Sequence, residues 1–291
     1  MTKTHCMHAK YVAVVVLSIL SFTFSDAYAE PSQKKAADKT LVFGFLPIIS
    51  SQKLVARFGP LADYLAEKLG RPVRVETAPD YAQFLRRTNN EKRYDILFTA
   101  PHFYYLAHRD ANYQVVVRVN APDLRAIIVA PNNSKLRTLN DLRGHSLSTA
   151  DPLALGTALV RARLIAAGID PDKDLTLVAT PSHNASLFSA HKGITDAASL
   201  MIPPFKRARP EIKNAMYIID KTAGTPHMPI SVAPWLSAKE VSIIEASLMA
   251  LNSTDEGRTL LKHLSWPGFA KATSEEYDSL KPIAEQLKLP Q

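Results

Sequence analysis

Five short turns carry the polar and aromatic residues of this chain whose types and spacing suit chemistry. They are Leu46-Pro47-Ile48-Ile49-Ser50-Ser51, Asp80-Tyr81, Thr99-Ala100-Pro101-His102-Phe103-Tyr104, Asp151-Pro152-Leu153-Ala154-Leu155-Gly156-Thr157 and Pro181-Ser182-His183-Asn184. Each follows an apolar run with strand character and leads towards a run with helical spacing. Free N–H groups at a helix start, with the helix dipole behind them, favour an anion. Several such starts facing one crevice would trap a small anion without any covalent step. The nine histidines are scattered, with no His-Glu-x-x-His pair and no carboxylate–histidine cluster at metal spacing. There is no nucleophile elbow, Walker loop or Gly-x-Gly-x-x-Gly. The motif content therefore points to binding rather than catalysis, with no catalytic residue, metal or cofactor expected.

Within these turns several residues have two readings. Tyr81 and Tyr104 are either packing aromatics or clamps on a ligand. His183 either caps its helix with the ring or serves the site. His102, one residue past Pro101 in a first helical turn, is expected at the surface. Asp80 is expected to cap a helix, and Asp196 to sit in a turn.

The elements that must position these turns follow from periodicity. Residues 40–46 form an apolar strand ended by Pro47. Residues 54–69 repeat apolar side chains at helical spacing, with Gly70 as the stop and Pro72 forbidding continuation. Strand 73–76, helix 81–88, strand 94–99 and a helix opened by Pro101 complete a strand–helix alternation, the pattern of parallel pairing with helices on both faces. The pattern restarts with strands 115–120 and 124–130, a helical turn at 138–142 and strand 145–149. Then come a helix from Asp151 to 167, strand 175–179, helix 184–191, and strands 197–201, 215–219 and 230–233. Helices at 237–252, 255–263 and 274–288 close the chain. Two α/β lobes joined near Leu124 and Pro229 would leave a cleft between them, where small ligands bind at the carboxyl ends of strands.

Composition narrows the class. Lys3 and Lys10, an apolar run over residues 11–24 and Ala27-Tyr28-Ala29 have the form of a secretory signal peptide, residues 1–29. Residues 30–39 are expected to be a flexible arm. The single cysteine, Cys6, precedes the apolar run, so a lipid anchor, a disulfide and a thiol nucleophile are not expected in the mature protein. The net charge of +8 comes from scattered basic residues rather than a stripe interleaved with aromatics, which argues against nucleic acid.

Several motifs resemble one family in order and spacing. Gly44-Phe45-Leu46-Pro47 is followed by Phe58-Gly59-Pro60-Leu61-Ala62-Asp63-Tyr64-Leu65 and Leu69-Gly70-Arg71-Pro72-Val73. Then come Asp80-Tyr81, Tyr94-Asp95-Ile96, Ala100-Pro101-His102-Phe103-Tyr104, Asp141-Leu142-Arg143-Gly144, Ser182-His183-Asn184-Ala185, Gly193-Ile194-Thr195-Asp196-Ala197, and Asp255-Glu256-Gly257 with Leu260-Leu261. From about Leu41 to Leu287 the chain resembles the periplasmic substrate-binding proteins of phosphate/phosphite/phosphonate ABC importers. The resemblance implies a two-lobed α/β type 2 periplasmic binding fold, with mixed, mostly parallel sheets, flanking helices and a hinge. Residues 40–123 plus 231–291 would form lobe one and 124–230 lobe two.

One departure bears on the ligand. Where relatives that bind a phosphonate or phosphite place Ser-Thr-Ser-Gly after Asp-Pro, this chain has Leu153-Ala154-Leu155-Gly156, with Thr157 beyond. Losing hydroxyl donors to a charged ligand costs about 1.5–3 kcal/mol each, so the small ligand expected, anionic or not, is one with an apolar portion or one anchored elsewhere. The expected ligand-binding residues are Pro47, Tyr81, Thr99 and Tyr104 from one lobe, and Leu155, Gly156, Thr157 and His183 from the other. The expected partners are a small-molecule ligand and an ABC permease of the inner membrane, with the chain a periplasmic monomer. A membrane histidine kinase reading the same closure is the alternative partner, and an enzyme on the same fold a second alternative.

Overall fold

Every residue of β1 (Leu41–Phe45) is buried, because both faces of the strand are covered. Phe43 and Phe45 point to one face, where Phe45 packs on Phe58 and Phe98 with ring centroids 4.3 and 5.6 Å away. On the other face Gly44 lies under the Tyr94 ring, and a Cβ there would come 2.3 Å from Tyr94 Cγ. The computed structural model describes residues 39–287. The expected signal segment and nearly all of the expected arm lie outside them.

The first sheet places β1 between β2 (Val73–Glu76) and β3 (Ile96–Phe98), both parallel to it. It continues through β10 (Pro229–Val232) and β4 (Gln114–Val119) to β11 (Phe269–Lys271), each antiparallel to its neighbour. In the second sheet β6 (Ser146–Thr149) is parallel to β7 (Thr176–Ala179) and β8 (Ala197–Met201). Strand β5 (Ala126–Pro131) runs antiparallel to β8 and to β9 (Met216–Lys221). Both sheets are thus mixed, and most strands of each run one way, as expected.

The helices follow the apolar stripes. α1 (Ser51–Leu69) buries Leu54, Phe58, Leu61 and Leu65 and ends at Gly70, whose φ of 64° only glycine adopts freely. α2 (Tyr81–Asn89) starts at Asp80, whose carboxylate accepts the Gln83 amide at 2.7 Å. α3 (Pro101–Ala111) is buried nearly all round. The second sheet carries α4 (Leu155–Ala166), α5 (His183–His191), α6 (Ile202–Arg207) and α7 (Pro210–Lys213). α8 (Ala238–Ala250), α9 (Asp255–Leu264) and α10 (Lys281–Glu285) follow β10. No described helix is long and apolar enough to cross a membrane.

Three expectations fail locally. The helix expected from Asp151 begins only at Leu155, because the Asp151 carboxylate and carbonyl take the amides of Leu153 and Ala154 and fold the segment into a turn. The expected helix 274–288 is a 3-10 stretch (Ser274–Leu280) followed by α10, whose Pro282 has no amide to continue a helical ladder. Strand β11 and helices α6 and α7 were not anticipated.

The chain passes between the sheets twice, after β4 and after β9. The two passages are bonded to each other: Leu124 and Thr225 exchange amide–carbonyl hydrogen bonds of 2.9 and 3.0 Å. The Thr222 hydroxyl adds an acceptor for the Ala126 amide at 3.0 Å. Gly224 fits here because a Cβ would meet the Asp123 carboxylate at 2.5 Å.

Candidate functional site

Two turns at the ends of adjacent parallel strands dominate the second sheet's contribution. After β6 the chain runs through Asp151 and Pro152 to α4. The N-cap of α4 is Ala154, which offers no side-chain acceptor to the first-turn amides. Leu153, Ala154 and Leu155 are all buried, and the two leucines belong to one apolar cluster with Leu46, Phe103 and Met201. That cluster draws residues from both sheets, so aliphatic carbon fills the space beside the helix start. Gly156 is pressed between side chains: a Cβ there would stand 2.9 Å from His183 Cε1 and 3.3 Å from Met201 Sδ. Thr157 turns elsewhere. Its hydroxyl donates to the Ala150 carbonyl at 3.3 Å, and its side chain lines a separate cavity of about 240 Å³ beside Thr149 and Ile283.

After β7 the chain reaches α5, capped by Ser182, whose hydroxyl accepts the Ala185 amide at 3.1 Å. His183 opens this helix with its ring against Gly156. Its Nδ1 is buried and has no hydrogen-bond partner among the described residues. Burial lowers its pKa to about 4, so the ring is neutral at pH 7. His183, Asn184, Phe188 and Arg207 of the second sheet's side line a cavity of about 690 Å³ with Ile48 and Ile49, which follow β1 of the first sheet.

The first sheet's side adds three groups. Thr99, at the end of β3, is fully buried and its Oγ1 has no partner among the described residues. His102 is also fully buried: Nε2 donates to the Leu153 carbonyl at 2.9 Å, which fixes the proton on Nε2 and leaves Nδ1 a bare acceptor. Burial holds its pKa at about 4. This bond joins α3 to the turn before α4. Tyr81 packs edge-on against Phe103 at 5.8 Å, and burial, helped by the nearby Asp151 carboxylate, raises its hydroxyl to about 12.

Of the residues expected to bind, the structure brings Gly156 and His183 into contact. Leu155 lies in the buried apolar cluster, on whose rim Tyr81 packs. Pro47 is half-buried immediately before Ile48. Thr99 is enclosed, and Thr157 faces the smaller cavity. Tyr104 belongs to the same apolar cluster as Leu155, and its polar contacts run to other elements. Its hydroxyl bonds Ser274 Oγ at 2.8 Å and accepts the Val115 amide at 3.1 Å, and its ring meets Tyr277 edge-on at 4.8 Å. The expected surface position of His102 is corrected to a buried one, because α3 is sheathed on nearly every side. The unbroken His102-Phe103-Tyr104-Tyr105-Leu106-Ala107 run was the available signal for that sheath. Met201 and Arg207 were not singled out, since only the tertiary fold carries them to α5.

Two mixed sheets with flanking helices, linked by two passages and meeting at strand-end turns, are the architecture of a solute-binding protein. The chain belongs to the family described as "ABC transporter, phosphonate, periplasmic substrate-binding protein", whose model matches residues 43–277. As a member it is a solute-binding protein that delivers its ligand to an ABC importer. It is 23% identical to the phosphonates-binding periplasmic protein of Escherichia coli (strain K12), across 96% of this chain and 85% of that one. Among solved structures, PhnD1 from Prochlorococcus marinus in complex with methylphosphonate has a TM-score of 0.74 at 16% identity, covering 87% of this chain and 99% of that chain. XAC2383 from Xanthomonas citri, bound to ATP, has a TM-score of 0.74 at 18% identity, covering 86% and 97%. At such identities the structural likeness establishes the fold alone.

Proposed function

We propose that this protein is exported by residues 1–29, works in the periplasm as an unanchored monomer without enzymatic activity, and closes on a small organic solute rather than a bare oxyanion. The observation that carries this reading is the α4 start. Leu153 and Leu155 occupy the space beside it, Ala154 supplies no cap, and the Thr157 hydroxyl is engaged by the Ala150 carbonyl. A phosphonate or phosphite seated there would lose hydrogen bonds to a charged group, each worth about 1.5–3 kcal/mol. Closure would bring the Ile48–Ile49 segment against His183, with residues 124 and 225 in the passages between lobes.

Native mass spectrometry of the mature chain, purified without refolding, tests the reading. The expected result is a co-purifying organic molecule, with phosphite and methylphosphonate leaving the melting temperature unchanged in a thermal-shift series. Strong stabilisation by either oxyanion would overturn the exclusion. A Gly156→Val variant is expected to fold yet lose most affinity for the co-purified molecule, since the added carbons displace His183.

A further inference from the structure

The cavity of about 690 Å³ has an apolar wall and a basic rim. Ile48 and Phe188 are 43% and 42% exposed, so no described residue covers them. The rim holds Arg207, at the end of α6, and Arg209 just beyond it. Arg209 pairs with Glu211 at 3.3 Å, whereas Arg207 has no carboxylate partner among the described residues. A further polar contribution is the start of α5, the positive end of its dipole, whose first residue His183 lines the same cavity. At Asn184 this chain carries a neutral amide, so no carboxylate on this turn cancels the field.

We infer that the ligand is an organic anion with an apolar body, its charged group held at the rim by Arg207 and the start of α5, and its body lying along Ile48, Ile49 and Phe188. This assignment rests on the solute-binding reading and moves the anion anchor from the α4 turn to the α5 turn. A guanidinium supplies paired donors that suit a carboxylate, sulfonate or phosphonate head equally.

Isothermal titration calorimetry of the mature chain with hexylphosphonate, methylphosphonate and hexan-1-ol tests this. Hexylphosphonate is expected to bind at least about tenfold more tightly than either of the others, because only it satisfies both the wall and the rim. Arg207→Gln is expected to bring hexylphosphonate to the level of hexan-1-ol and to abolish the weakening of binding by salt, with Arg207→Lys restoring part of each. Arg207 is exposed and unpaired, so the melting temperatures of these variants should match the parent. Equal affinity for methylphosphonate and hexylphosphonate would overturn the apolar wall, and an unchanged affinity in Arg207→Gln would overturn the anchor. If none of the three probes binds, the anionic assignment falls. The solute-binding reading falls only if native mass spectrometry also finds no organic ligand.

Discussion

The β6–α4 and β7–α5 turns stand side by side in the same sheet and share a topology, yet they have opposite chemistry. The first has an alanine cap, leucines on either side of it and a carbonyl tied to His102. The second has a serine cap, a histidine with a free ring nitrogen and an arginine at its rim. A helix start is thus only an opportunity for an anion. What the neighbouring side chains leave open decides whether it is used. In this chain the α4 turn is packed as a piece of core and the α5 turn is left as a surface.

The largest test of that contrast is Leu155→Ala. If the α4 turn is core, the truncation costs about 2–5 kcal/mol, read from urea unfolding, because a buried side chain leaves a cavity. A cost near zero would mean that the turn is open after all. Next is the His102 link. His102→Leu leaves the Leu153 carbonyl unpaired and is expected to cost about 1–3 kcal/mol. It should also alter the pH dependence. His102, His183 and His227 have folded pKa values lowered to about 4, each with burial as its largest cause, from an ordinary 6.5. Between pH 6.5 and 4 the unfolded chain takes up protons that the folded chain refuses, so stability falls as pH drops through that window and is level above it. Denaturation midpoints at pH 7 and pH 5 should show the fall, and His102→Leu should reduce it. The smallest effect belongs to the α5 turn: Ser182→Ala removes a cap and is expected to cost about 1 kcal/mol. A loss as large as that at Leu155 would erase the distinction between the two turns.

Much of the fold was legible because its punctuation is local. Strand β2 lies where Gly70 and Pro72 end the preceding helix just ahead of a Val-Arg-Val-Glu run, and β8 matches its expected bounds because Gly193 stops the preceding helix. Short elements escaped notice. Strand β11 has three residues and only Phe269 is buried, while α6 and α7 open on prolines that also mark loops. The site was legible only in part, for a physical reason. His183 and Gly156 are both at strand ends, which the sequence identifies. Whether the His102 ring faces water or the Leu153 carbonyl depends on what lands on α3 from residues more than forty positions away. Arg207 reads in the sequence as scattered surface charge, and only the fold sets it on the cavity beside His183.

The reciprocal bonds between residues 124 and 225 carry an evolutionary corollary. Inserting one amino acid on either ribbon would shift that ladder out of phase and turn Gly224 away from Asp123. Descendants of this gene should therefore vary these ribbons in composition while conserving their length. Insertions and deletions should accumulate instead at exposed bends such as Asn132–Asn133.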